Sequence, residues 1–204
     1  LRAGFLIADE IIIREVINRI FQEMDSSPDI VGRALMGAFN ATKERNIEYK
    51  KYFTKLRKLY IHKYQILKAL VEGIDSIKDK TKKEEIINIV EQYTSKTEAT
   101  KLLKGLPYTK FPDNLEPDAG FFAILDFTEL KGKNFRGQPI KTEKDLLEFF
   151  YKTNRLRFLI GQSISWPYPK ELVGRITFAL EDNELIEAMS LINDSLQQLV
   201  TENS

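Results

Sequence analysis

Arg175, in the run Leu172-Val173-Gly174-Arg175-Ile176-Thr177-Phe178-Ala179, is the residue whose type and setting best suit binding chemistry. It opens a strand-like run in which Ile176, Phe178 and Leu180 alternate with Thr177, Ala179 and Glu181, after the loop Trp166-Pro167-Tyr168-Pro169. A guanidinium is planar, permanently charged and presents paired donors, so it can grip a carboxylate at two points. Alone, such an arginine reads as an ordinary surface residue at a strand start. The opening run Leu1-Arg2-Ala3-Gly4-Phe5-Leu6-Ile7-Ala8, with a second arginine, gives it context. Other chemistries are poorly supplied. Cysteine is absent, which removes disulfides, thiolate nucleophiles and Cys-ligated metals. The single histidine, His62, lies in a strongly helical segment and reads as a helix-surface residue, leaving almost no room for histidine triads or multi-His metal sites. No metal ligand and no catalytic side chain is assigned within the chain.

Composition narrows the function classes further. The chain has 204 residues, enough for one large or two small domains with a substantial core. Hydrophobic residues make up 43% and charged residues 30%, as in ordinary globular proteins. With 31 basic and 30 acidic side chains the net charge is +1, which exerts no long-range pull on nucleic acid or anionic membrane. Neither is expected as a partner. No apolar run approaches the roughly 18 residues of a membrane span. Leu6-Ile7 is followed at once by Asp9-Glu10, unlike a signal peptide. Absence of cysteine fits a reducing cytoplasm, the expected location. The chain starts with Leu, and its first eight residues read as a buried strand, where termini are usually polar and frayed. It is expected to be a piece of a longer polypeptide, cut just upstream of Leu1.

These arginines need elements to position them. Arg2 to Ala8 is rich in large apolar types, consistent with a strand buried on both faces. Asp9 then suits an N-cap for a helix bearing Ile12, Val16, Ile20 and Met24. Asp25-Ser26-Ser27-Pro28 breaks it and starts a second helix, rich in small residues (Gly32, Ala34, Gly37, Ala38). From about Lys43 to Val71, Tyr52, Phe53, Leu56, Leu59, Tyr60, Lys63, Leu67 and Leu70 recur at helical steps. This predicts a rod of about 40 Å, its aromatic stripe packed in a core. Residues 73 to 112 change character. A solvated, charge-rich stretch from Lys78 to Glu85 precedes an amphipathic helix bearing Ile86, Ile89, Val90 and Tyr93, then another around Leu102-Leu103. This segment reads as an insertion or lid. The last third alternates strands and helices: a strand at 120–127, a capping-box start at Thr142-Glu143-Lys144-Asp145, a short strand from Arg157 to Ile160 and the strand at 175–180. A terminal helix capped by Asp182 carries Leu185, Met189, Ile192, Leu196 and Leu199. The fold class is α+β (α/β overall).

Several of these runs occur in an order that resembles the fold-type I pyridoxal-phosphate-dependent aminotransferases of class I/II. Arg2-Ala3-Gly4 resembles the family's R-x-G strand, which follows the Schiff-base lysine. Ser26-Ser27-Pro28 with its small-residue helix resembles the next landmark, and the 43–71 helix resembles the interdomain helix. Pro117-Asp118-Ala119-Gly120-Phe121-Phe122 with Asp126, and the Gly161 loop leading to Gly174-Arg175-Ile176, resemble the family's two C-terminal motifs. The likeness covers roughly residues 1–72 and 116–200.

The resemblance implies the C-terminal part of the PLP-dependent transferase fold. Residues 1–42 would be the remnant of the large domain, 43–72 the interdomain helix, 73–115 a helical insertion or lid, and 116–204 the small domain. It implies that Arg2 binds the phosphate of pyridoxal 5′-phosphate, that Arg175 binds the substrate α-carboxylate and that Phe122 walls the pocket; by residue type alone Phe122 reads as core. The partners implied are a small-molecule amino acid and a 2-oxo acid, with a homodimer when the protein is full length. The Schiff-base lysine and the other cofactor-holding residues would precede Leu1, so the chain alone is expected to be inactive. Three rivals stand beside this reading: an aminotransferase-like effector domain of a transcription regulator, a lyase or decarboxylase on the same scaffold, and an interaction module built on the lysine-rich helices at 77–105.

Overall fold

A computed structural model describes residues 9–15, 43–112 and 120–203. The chain divides into two compact units, Leu1–Thr54 and Lys55–Ser204. In the first, residues 10–15 are helical, and the Ile13 amide donates to the Asp9 carbonyl at 3.0 Å, so the helix begins where Asp9 predicts. The strand expected at 2–8, the helix expected beyond Val16 and the one expected after Pro28 lie outside the described residues.

The long periodic segment forms one helix, α1, Lys43–Glu72. The division between the two units falls inside it. Its stripe is buried only in the C-terminal half, where Lys63, Ile66, Leu67 and Leu70 recur at helical spacing. Core packing was expected for Tyr52, Phe53 and Leu59, but they stand 59%, 62% and 47% exposed. An apolar helical face is buried only where another element faces it. His62 is partly buried, its Nδ1 3.8 Å from a Glu85 carboxylate oxygen.

Residues 73–115 were expected as an insertion or lid. In the described part, helices α2 (Lys80–Tyr93) and α3 (Lys96–Leu102) place Ile86, Val90, Ala99 and Leu102 in the same hydrophobic cluster as the rest of the second unit. They are core elements. Asp79 caps α2 and Ser95 caps α3, each accepting a backbone N–H of the first turn. The Ile74 amide donates to the Leu103 carbonyl at 2.8 Å and the Leu106 amide to Val71 at 2.9 Å, tying the segment to the end of α1. Gly105 permits that crossing: its φ is +90°, and a β-carbon there would lie 2.7 Å from the Gly73 nitrogen.

Beyond this lies a three-stranded antiparallel sheet ordered β1-β5-β4, made of β1 (Phe122–Asp126), β4 (Leu159–Ile160) and β5 (Val173–Thr177). A small hairpin, β2 (Asn134–Phe135) and β3 (Gln138–Pro139), precedes helix α4 (Glu143–Asn154). The capping box expected at Thr142 and Asp145 starts α4. The terminal helix α5 spans Asp182–Glu202. Its N-cap is Glu181, not Asp182: Glu181 and Glu184 form a reciprocal box one residue earlier. The expected stripe Leu185, Met189, Ile192, Leu196 and Leu199 is buried throughout. The second unit is thus mixed helix and antiparallel sheet, an α+β arrangement.

Candidate functional site

Sheet register decides which way Arg175 faces. In β1–β5 pairing, Phe122 lies opposite Thr177, Ile124 opposite Arg175 and Leu125 opposite Gly174; on the other side Leu159 pairs with Arg175. Directly paired residues share a face. Ala123, Leu125, Gly174 and Ile176 therefore line one face, and Ala123, Leu125 and Ile176 join the hydrophobic cluster. Phe122, Ile124, Leu159, Arg175 and Thr177 share the other and are partly or largely exposed, while Val173 at the start of β5 is buried on that same face.

Arg175 was expected at the start of a strand over 175–180. It occupies the middle of the central strand, which begins two residues earlier and ends at Thr177. A residue flanked by two strands has little backbone freedom, so the base of its side chain is well fixed. The Arg175 guanidinium carbon sits 4.4 Å from the centroid of the Phe122 ring, and among the described residues no carboxylate forms an ion pair with it. Phe122 is 43% exposed, so the core reading of that residue is corrected: an even step along β1 puts it on the same face as Arg175. Arg2 lies outside the described residues.

Two further aromatic residues back this pair, and the sequence reading did not single them out for the site. The Phe121 ring lies 4.5 Å from that of Phe122, and Tyr60 of α1 lies 5.9 Å from Phe121. Tyr60 also meets Phe178 edge-on at 6.4 Å. The available signal was the consecutive pair Phe121-Phe122, since adjacent strand positions normally face opposite ways.

Trp166 and Tyr168 belong to the loop that precedes the Arg175 strand. They line a cleft of about 670 Å³ with Lys141, Lys144 and Gly161, but Arg175 is not part of its wall. Trp166 Nε1 donates to Glu171 at 2.8 Å, which fixes the indole within the β4–β5 connection. Along α4, the Lys141 backbone N–H, then the Thr142 hydroxyl and N–H, hold the Asp145 carboxyl below its ordinary range. Asp75 is likewise lowered, first by a hydrogen bond from Lys83 and then by that ammonium's charge.

Among the described residues no group of three or more His, Cys, Asp or Glu could hold a metal ion, and no helix is long and apolar enough to cross a membrane. What the site offers is one guanidinium, fixed at its base, resting on an aromatic ring. That suits recognition of a carboxylate. No protein-family model matches the chain, and neither a curated protein nor a solved structure matches it.

Proposed function

We propose that this chain is the C-terminal portion of a fold-type I pyridoxal-phosphate-dependent aminotransferase, which moves an amino group between an amino acid and a 2-oxo acid. Arg175 is the clamp on the substrate α-carboxylate. The observation that carries this reading is the setting of Arg175: mid-strand at the centre of the sheet, on its more exposed face, over Phe122, with no described carboxylate paired to it. The order of elements agrees with the family resemblance, from a long helix through a small antiparallel sheet to a terminal helix.

The cofactor would supply an electron sink for the substrate's α-carbon. The described residues do not by themselves fit it. A single arginine beside phenylalanine suits a carboxylate, not a phosphate ester joined to a pyridine ring, and Arg2 lies outside the described residues. Arg175's own task is neutralisation and orientation. Two parallel N–H donors fix the position and plane of the carboxylate, so that a second hold on the amino group suffices to present the α-hydrogen in one direction.

The test is amino-acid turnover and cofactor retention by the polypeptide that carries this chain, with Arg175→Ala and Arg175→Lys. Truncating one partner of a desolvated charge pair costs about 2–5 kcal/mol, so kcat/KM should fall about a hundredfold for Ala, and in part for Lys, which lacks the fork. Cofactor absorbance should persist in both variants. Unchanged turnover in Arg175→Ala, or cofactor binding without amino-group transfer by the unmodified protein, would overturn the proposal.

A further inference from the structure

We infer that Phe122 is a positioning residue for Arg175: its ring carries the guanidinium and leaves the in-plane donors free for a carboxylate. The inference deepens the proposed function and rests on the reading of Arg175 as the clamp. An arginine side chain has many rotamers, and a clamp works only if most of that freedom is removed before the ligand arrives. Ion pairing would remove it but would occupy the donors that the ligand needs. A cation over a ring face leaves them unoccupied, because the contact uses the π surface and the N–H groups point outward in the guanidinium plane.

The cation–ring contact is in place. The guanidinium carbon is 4.4 Å from the Phe122 centroid. Phe122 is braced in turn by Phe121 at 4.5 Å, and Phe121 by Tyr60 of α1 at 5.9 Å. Tyr60 contacts Phe178, which is fully buried, so the relay ends in the core. This gives a role to two phenylalanines that stay about 40% exposed at the start of β1, where smaller or polar residues would leave less apolar surface in water.

The experiment compares Phe122→Leu, which removes the ring but keeps apolar bulk, with Phe122→Tyr, which keeps the ring. The first readout uses this chain: the Arg175 Nε–Hε resonance, assigned by its loss in Arg175→Lys. In the unmodified chain ring current should move that proton upfield. Phe122→Leu should return it to the ordinary arginine position with faster side-chain motion, and Phe122→Tyr should hold it in place. A resonance unmoved by Phe122→Leu overturns the inference whatever the protein's reaction. The second readout uses the intact enzyme: KM for the amino acid relative to KM for the corresponding amine lacking the carboxylate. Phe122→Leu should lower that preference about fivefold, the size of a partly exposed cation–π contact, and Phe122→Tyr should restore it. Equal losses for both substrates, or equal behaviour of Leu and Tyr, would overturn the positioning role. Failure of the reading of Arg175 as the clamp would show separately, as unchanged turnover in Arg175→Ala.

Discussion

Lys63 offers a quantitative test of how the second unit is held together. It is only 7% exposed and shares the α1 stripe with Ile66, Leu67 and Leu70. Its ammonium donates to the Leu180 carbonyl and lies 3.2 Å from Asp182 Oδ1, joining α1 to the entry of α5. A helix N-terminus repels a cation, so the two acceptors must outweigh both that repulsion and the desolvation of the charge. Lys63→Met keeps most of the apolar stem and removes two charge-assisted hydrogen bonds. Because Asp182 stays 27% exposed and can rehydrate, the loss should be about 2 kcal/mol, below the full penalty for a deeply buried pair. Lys63→Ala also deletes three methylenes at about 0.8 kcal/mol each, bringing the total to about 4 kcal/mol. For a unit of this size these correspond to melting shifts of about 4–8 °C for Met and about twice that for Ala. The assay is urea and thermal unfolding followed by the single tryptophan, Trp166, which lies in the same unit. Adding Asp182→Asn to Lys63→Met should cost less than the sum of the two, since it removes the orphaned charge. Additive effects, or a Met variant as stable as the unmodified chain, would refute the reasoning.

Gly105→Ala should destabilise the second unit by about 3 kcal/mol, from a strained positive φ plus a clash with backbone that cannot swing aside, seen as a lower urea midpoint. The Asp145 carboxyl is depressed by hydrogen bonds that exist only in the folded chain. Its contribution is therefore fully present above the ordinary aspartate range and is lost as pH falls through the lowered folded value. Unfolding free energy measured from neutral pH into that acidic window should fall less steeply in Asp145→Asn; identical slopes would remove the capping box from the account.

Local signals read well from sequence, and long-range ones did not. The bounds of α1, the buried stripe of α5 and the Thr142–Asp145 box follow from spacing over a few residues. Lys63 was visible on the apolar stripe, but its acceptors are more than a hundred positions away, and periodicity carries no information about them. Helices α2 and α3 show one apolar face each, and spacing does not say what that face packs against, nor does it reveal the close backbone approach of Gly73 and Gly105. Glu181 and Asp182 are both acidic, so the cap position was ambiguous by one residue. Phe122 misled because β1 is apolar on both sides: Ala123 and Leu125 face the cluster, while Phe122 and Ile124 face away from it.

That two-sided character makes the register of β5 the critical local feature, because a slip of one residue would turn Arg175 into the core. Alternation along β1 cannot hold the register when both of its faces are apolar. Gly174 can. The Phe158 ring lies so close to it that a β-carbon would come within 2.5 Å of ring carbons, and that ring packs in turn on Phe127 and Phe150. Only a residue without a side chain fits beneath Phe158, so the glycine is committed to the inner face. Its neighbour must then point the other way. The Gly174-Arg175 pair thus works as a unit, in which packing against the first residue sets the direction of the second, and Phe122 fixes where the charged end comes to rest.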